Sequence, residues 1–194
     1  MASAIAWADR VAGPPIVCAV VNFAAALVMA FVLAPGTPLF EATERSAYVR
    51  ANLDAWRLGW AVWIAAALSL LWFYYWWRGR IGASYVALAL AAGGLIADVT
   101  SELMLILYDA ATAPFAFFLT GVVANGLYTM CGIWLTLAMR LSTVERIWAA
   151  LMWGAGITLS LATLTGLYLL AAIATAVLFA LFCPWCVYLA VKLR

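Results

Sequence analysis

The chain has 194 residues, of which 70% are hydrophobic and 9% charged, and its net charge is +2. A soluble globular domain carries about 25% charged residues, so most of this surface must face lipid rather than water. So small a net charge, with no basic stripe, gives no footing to a nucleic-acid partner. The complete lack of histidine removes His-ligated haem, His-based zinc sites and every Ser–His or Cys–His catalytic pair.

A transmembrane helix needs about 20 apolar residues, and the chain divides into six such stretches. The first apolar run, Val11 to Ala34, has 24 residues, longer than the apolar region of about 7–15 residues in a secretory signal. It therefore reads as a first span over 14–34, opened by Pro14 and Pro15, where proline suits a first helical turn. An outer loop over 35–54 follows, holding Glu41, Glu44, Arg45, Arg50 and Asp54. Thr37 and Pro38 there have the chemistry to start a short surface helix.

The second span, 55–77, closes in Trp72-Phe73-Tyr74-Tyr75-Trp76-Trp77 before Arg78 and Arg80. Aromatic residues beside arginines are what a membrane–water boundary selects. The third span covers 83–108 and the fourth 114–139. The fifth, 144–165, starts at Ser142-Thr143-Val144-Glu145, the S-x-x-E pattern of a capping box. From Ile147 to Val191 there are 45 residues without a charge. One helix of that length would extend about 65–70 Å, twice the bilayer thickness. The run must therefore fold back, near Gly166, into a sixth span over 167–191.

The charges orient this bundle. Six spans put the N-terminus, the 78–82 and 140–146 loops and the C-terminus on one side, with Arg10, Arg78, Arg80, Arg140, Arg146, Lys192 and Arg194. The other side has Arg45, Arg50 and Arg57 among acids. The positive-inside rule makes the first side cytoplasmic. The expected fold is a single all-α transmembrane domain, a six-helix bundle with both ends in the cytoplasm of a cell whose inner (plasma) membrane it spans.

Function is sought among the residues that membranes penalise. Asp98 and Glu102 lie four residues apart on one face of the third span. Counting helical rise puts them about 15 Å and 9 Å below the outer boundary, with Asn125 at about 16 Å and Asn22 at about 18 Å. Tyr128 is one turn from Asn125. Trp60 and Trp63 enter the second span at the depth of the two acids. Together these seven residues suggest an outward-facing ligand pocket, its acids taking a cation, an amine or a proton between aromatic walls. The competing reading is that a protonated Asp98 and the two asparagines glue helices together. Arg57 either pairs with Glu102 or Asp54 or extends into the headgroups.

Three functions fit these residues: binding or transport of a small cationic or amphipathic ligand, a membrane enzyme using the two carboxyls as acid and base on a lipid or isoprenoid, and a non-catalytic subunit of a larger complex. No cofactor is specified. Cys183-Pro-Trp-Cys186 has the C-x-x-C spacing of redox or metal work, but it and Cys18 and Cys131 fall within apolar helices on the reducing side, so packing is the reading adopted and no metal site is expected. Ala26-x-x-x-Ala30 would admit a close helix contact with a membrane-protein partner or a second copy. Without a nucleotide-binding loop, coupling to ATP would need another protein.

Overall fold

A computed structural model describes residues 13–193. Arg10, Val11, Ala12 and Arg194, used above for charge and span limits, lie outside the described residues. Among those described there are seven helices and no strand: α1 (Gly13–Gly36), α2 (Ala42–Ala51), α3 (Leu53–Ile81), α4 (Val86–Leu107), α5 (Ala113–Leu137), α6 (Thr143–Leu164) and α7 (Tyr168–Lys192). All but α2 are long and apolar enough to cross a membrane, as a multi-pass membrane protein requires. Their limits differ from expectation by a few residues, most in α3, which extends past its aromatic run through Arg80.

Local chemistry fixes the boundaries. At α6 the capping box forms in full: Ser142 N–H donates to Glu145 Oε2 at 2.6 Å and Glu145 N–H to Ser142 Oγ at 3.4 Å. At the α6–α7 turn Gly166 has φ +74, a conformation that costs glycine nothing. Leu167 N–H reaches Ala162 O and Gly166 N–H reaches Thr163 O, the paired bonds of a Schellman ending. The expected surface helix exists as α2, but Thr37 does not cap it. Its hydroxyl donates back to Ala34 O at 2.7 Å, and α2 starts five residues later, after Glu41.

The six long helices form a ring in chain order. Each packs on its chain neighbours, and α7 closes the ring on α1; short connections make successive helices antiparallel. The end carrying the chain termini is filled by Phe73, Tyr74, Trp77, Trp153, Phe182 and Trp185, packed with Cys18, Cys131, Cys183 and Cys186. The opposite end has a second cluster, in which Val49 of α2 joins Leu33, Trp56, Trp60, Leu105 and Phe117.

One expectation changes here. Trp77, expected at the boundary, is fully buried, as are Trp56 and Trp185, so the three build the interior; Trp56 Nε1–H also donates to Leu105 O at 2.6 Å. Arg57 pairs with neither acid: its Nε–H donates to Ile106 O at 3.3 Å, satisfying a carbonyl that the end of α4 leaves without an intrahelical donor. The four cysteines are free and buried, and among the described residues no group of three acids or thiols is placed to hold a metal.

At the terminal end α6 and α7 are locked by Glu145, which accepts from Lys192 and from the Tyr188 hydroxyl. Between α5 and α6 the Trp153 ring lies on Gly132, where an added Cβ would come within 2.1 Å of the indole. Trp153 Nε1–H meanwhile donates to Thr136 Oγ1 at 2.9 Å. Gly132→Val should therefore destabilise the fold by about 1–3 kcal/mol through overpacking. Gly154→Val, where nothing lies within 4 Å, should leave thermal unfolding in detergent close to wild type.

Candidate functional site

Inside the ring, above the aromatic plug, is a cavity of about 550 Å³ to which all six long helices contribute. Its floor is Leu70, Tyr74, Trp153 and Phe182, and its far end is Thr37, Pro38, Leu39 and Tyr168. The stretch of α7 from Tyr168 to Phe182 along its wall corresponds to about 21 Å of helical rise. Most of the wall is alanine, leucine and aromatic carbon, so the few polar side chains define its chemistry.

Six of the seven residues singled out in the sequence line this cavity: Asn22, Trp60, Trp63, Asp98, Asn125 and Tyr128. Glu102 does not. It is 0% exposed, and neither of its carboxyl oxygens has a hydrogen-bond partner among the described residues. One helical turn separates it from Asp98, but four residues also rotate the side chain by about 40°, enough to take it off the wall and into the packing.

Asp98 is buried, and its Oδ1 accepts from the Thr120 hydroxyl at 2.5 Å. No lysine, arginine or glutamate shares the lining, so Asp98 is the one formally charged side chain in it. Thr120 was not apparent in the sequence. It lies five residues before Asn125, about 140° away around a regular α-helix. The chain over Leu119–Ala124 is π-helical, and its i→i+5 bonding widens the turn. Thr120 and Asn125 thereby both come to line the cavity.

The asparagines do not converge on Asp98. Asn125 Nδ2 donates at 2.8 Å to both Gly156 O and Ser160 Oγ of α6. Asn22 Nδ2 donates to Cys18 O at 2.9 Å and to Ser69 Oγ of α3 at 3.1 Å. These are interhelical ties as well as wall.

The aromatic side chains behave differently. Trp60 is 1% exposed, and neither its Nε1–H nor that of Trp63 has an acceptor among the described residues. Tyr128, 8% exposed, lies beside Asp98, yet its hydroxyl makes no hydrogen bond of ordinary geometry. Trp60 packs edge-to-face on Trp56 and Phe117, and Trp63 on Phe179 of α7. Buried polar groups are nearly always paired. Three unpaired donors and one carboxyl around a single cavity therefore mark a place able to hold a ligand carrying both a cationic and a hydrogen-bonding group.

Two substitutions separate the roles of the acids. Thr120→Val removes the donor to Asp98 and should cost about 1–3 kcal/mol of stability. Glu102→Met removes an unpaired buried carboxyl at similar volume and should be neutral or stabilising. Thermal unfolding of both variants reads the difference, and a clear loss of stability in Glu102→Met would mean that Glu102 has a partner it needs.

No protein-family model, no curated protein and no solved structure matches the chain.

Proposed function

We propose that the chain is a multi-pass inner-membrane protein, with both termini cytoplasmic, that binds or transports a small organic cation or amphipathic amine in the cavity beside Asp98. The observation that carries this reading is the lining itself: one carboxyl with no basic side chain, set among Trp60, Trp63, Phe117 and Tyr128. A carboxylate without a counter-charge in an apolar interior is costly, and a cationic ligand supplies the missing charge. Aromatic faces add cation–π attraction, worth about 2 kcal/mol or more when desolvated. Thr120 holds the carboxyl in place, so the acceptor is oriented before a ligand arrives.

The orientation rests on the basic residues. Arg78, Arg80, Arg140, Arg146 and Lys192 lie at the end of the ring with the aromatic plug, while the cavity reaches toward the α2 end, whose basic residues are mixed with acids. With the basic end inside, the cavity faces outward and the plug closes the cytoplasmic side. An enzyme using Asp98 and Glu102 as an acid–base pair would need both at the substrate, and Glu102 is outside the lining.

Native mass spectrometry of gently purified protein tests the reading. A small amine or other cationic adduct should accompany wild type and Glu102→Gln and be lost from Asp98→Asn. The same adducts on all three proteins, or bare spectra for all three after incubation with organic cations, would remove the basis for a cation site at Asp98 and favour a purely structural subunit.

A further inference from the structure

The cavity is not sealed evenly. Its wall residues on α3, α4, α5 and α6 are all buried or half-buried. Every exposed wall residue belongs to α1, α7 or the segment after α1: Phe23, Leu27, Ala30, Leu39, Tyr168, Ala176 and Ala180. Phe23 is 57% and Leu27 44% exposed. Phe23, Leu27 and Ala30 recur with Ile16, Val20 and Phe31 along the outward stripe of α1, and Ala176 and Ala180 with Ile173, Val177 and Val187 along that of α7. These residues face the ring's outer surface and the cavity at once, so the cavity reaches the outer surface along the α1–α7 seam.

Small side chains make the gap. Ala26, Ala30 and Ala34 recur every four residues on α1, and Ala172, Ala176 and Ala180 do the same on α7. All six line the cavity. Such stripes ordinarily let helices close tightly. Here α1 packs on α7 through its Gly13–Val28 part, with Cys18 against Cys183 and Cys186. Ala30, Ala176 and Ala180 line the cavity and are also exposed, which leaves a slot between the two helices toward the α2 end. Trp60 and Tyr128, more than nine-tenths buried with unpaired donors, line the inner wall of the same cavity.

We infer that the ligands are hydrophobic organic cations already dissolved in the bilayer, which pass sideways between α1 and α7 and bind with the charge at Asp98 and the apolar remainder along the alanine-lined slot. This rests on the cation-binding reading above and adds the route and the ligand class to it. A hydrophilic cation would not use the slot, because reaching it means crossing hydrocarbon. It would have to enter past Thr37, Leu39 and Tyr168 at the α2 end.

Two probes distinguish the routes: tetraphenylphosphonium, which partitions into lipid, and tetramethylammonium, which stays in water. Their association with the full chain in lipid nanodiscs is followed by quenching of tryptophan fluorescence, for wild type, Ala176→Phe and Ala30→Phe. Narrowing the slot from either side should slow tetraphenylphosphonium by about tenfold and leave tetramethylammonium at its wild-type rate. An unchanged tetraphenylphosphonium rate in both variants overturns the lateral route. So does equal slowing of both probes, since the substituted ring would then be filling the site. If wild type binds neither probe, the cation site itself fails, and with it the route. An Asp98→Asn protein that has lost both probes while keeping its melting temperature would support the site independently of the route.

Discussion

Six helices standing in one ring leave a centre that no backbone can occupy, because each cylinder is about 10 Å across and packs mainly on its two neighbours. Side chains must fill that centre, to the density of any protein interior, or leave a hole. At the terminal end they fill it: Phe73, Tyr74, Trp77, Trp153, Phe182 and Trp185 meet there around the four cysteines. Between this plug and the second cluster at the α2 end, several inward positions are small, among them Ala66, Ala67, Gly121, Ala171 and Thr175, and the hole remains as the cavity. The switch from large to small inward residues along the same helices both closes one end and leaves the cavity above it.

The polar residues of the interior divide by whether they are satisfied. Asn22 with Ser69, Asn125 with Ser160 and Thr120 with Asp98 are hydrogen bonds between helices, which is how polar side chains hold apolar helices together. The Tyr74 hydroxyl crosses the ring to Tyr128 O at 3.0 Å and ties α3 to α5 at the floor. The indole N–H groups of Trp60 and Trp63 have no acceptor among the described residues. The asparagines do tie helices together, but through Ser69, Gly156 and Ser160 rather than through Asp98.

How much of this was legible follows from what each signal depends on. Span number and limits depend on composition and on local stops such as Ser142, Gly82 and Gly166, and all of these can be read along the chain. The inward placement of Asp98 and Asn125 followed from the cost of exposing them to lipid. Glu102 shows the limit of that rule: the same cost is met by burial between helices, and depth alone does not say which. Thr120 was hidden because its face depends on a π-helical stretch, for which no single residue over 119–124 is a marker. The tryptophans misled in the opposite sense. A boundary belt and an interior plug both want large aromatic residues near helix ends, and only the packing of Trp77 on Trp185 tells them apart.

The position of the open seam has a topological cause. Five of the six helix pairs in the ring are joined by a connecting segment at one end: 37–52, 82–85, 108–112, 138–142 and 165–167. The α1–α7 pair alone has none among the described residues, since α1 is the first of the described helices and α7 the last. Parting these helices strains no loop, and what resists it is side-chain contact at the terminal end, through Cys18, Cys183 and Cys186 beneath Asn22. A ring built in chain order therefore has one seam that is cheapest to open. The exposed wall residues lie on that seam and on the segment beside its α2 end, with Asp98 on the wall of the cavity behind it.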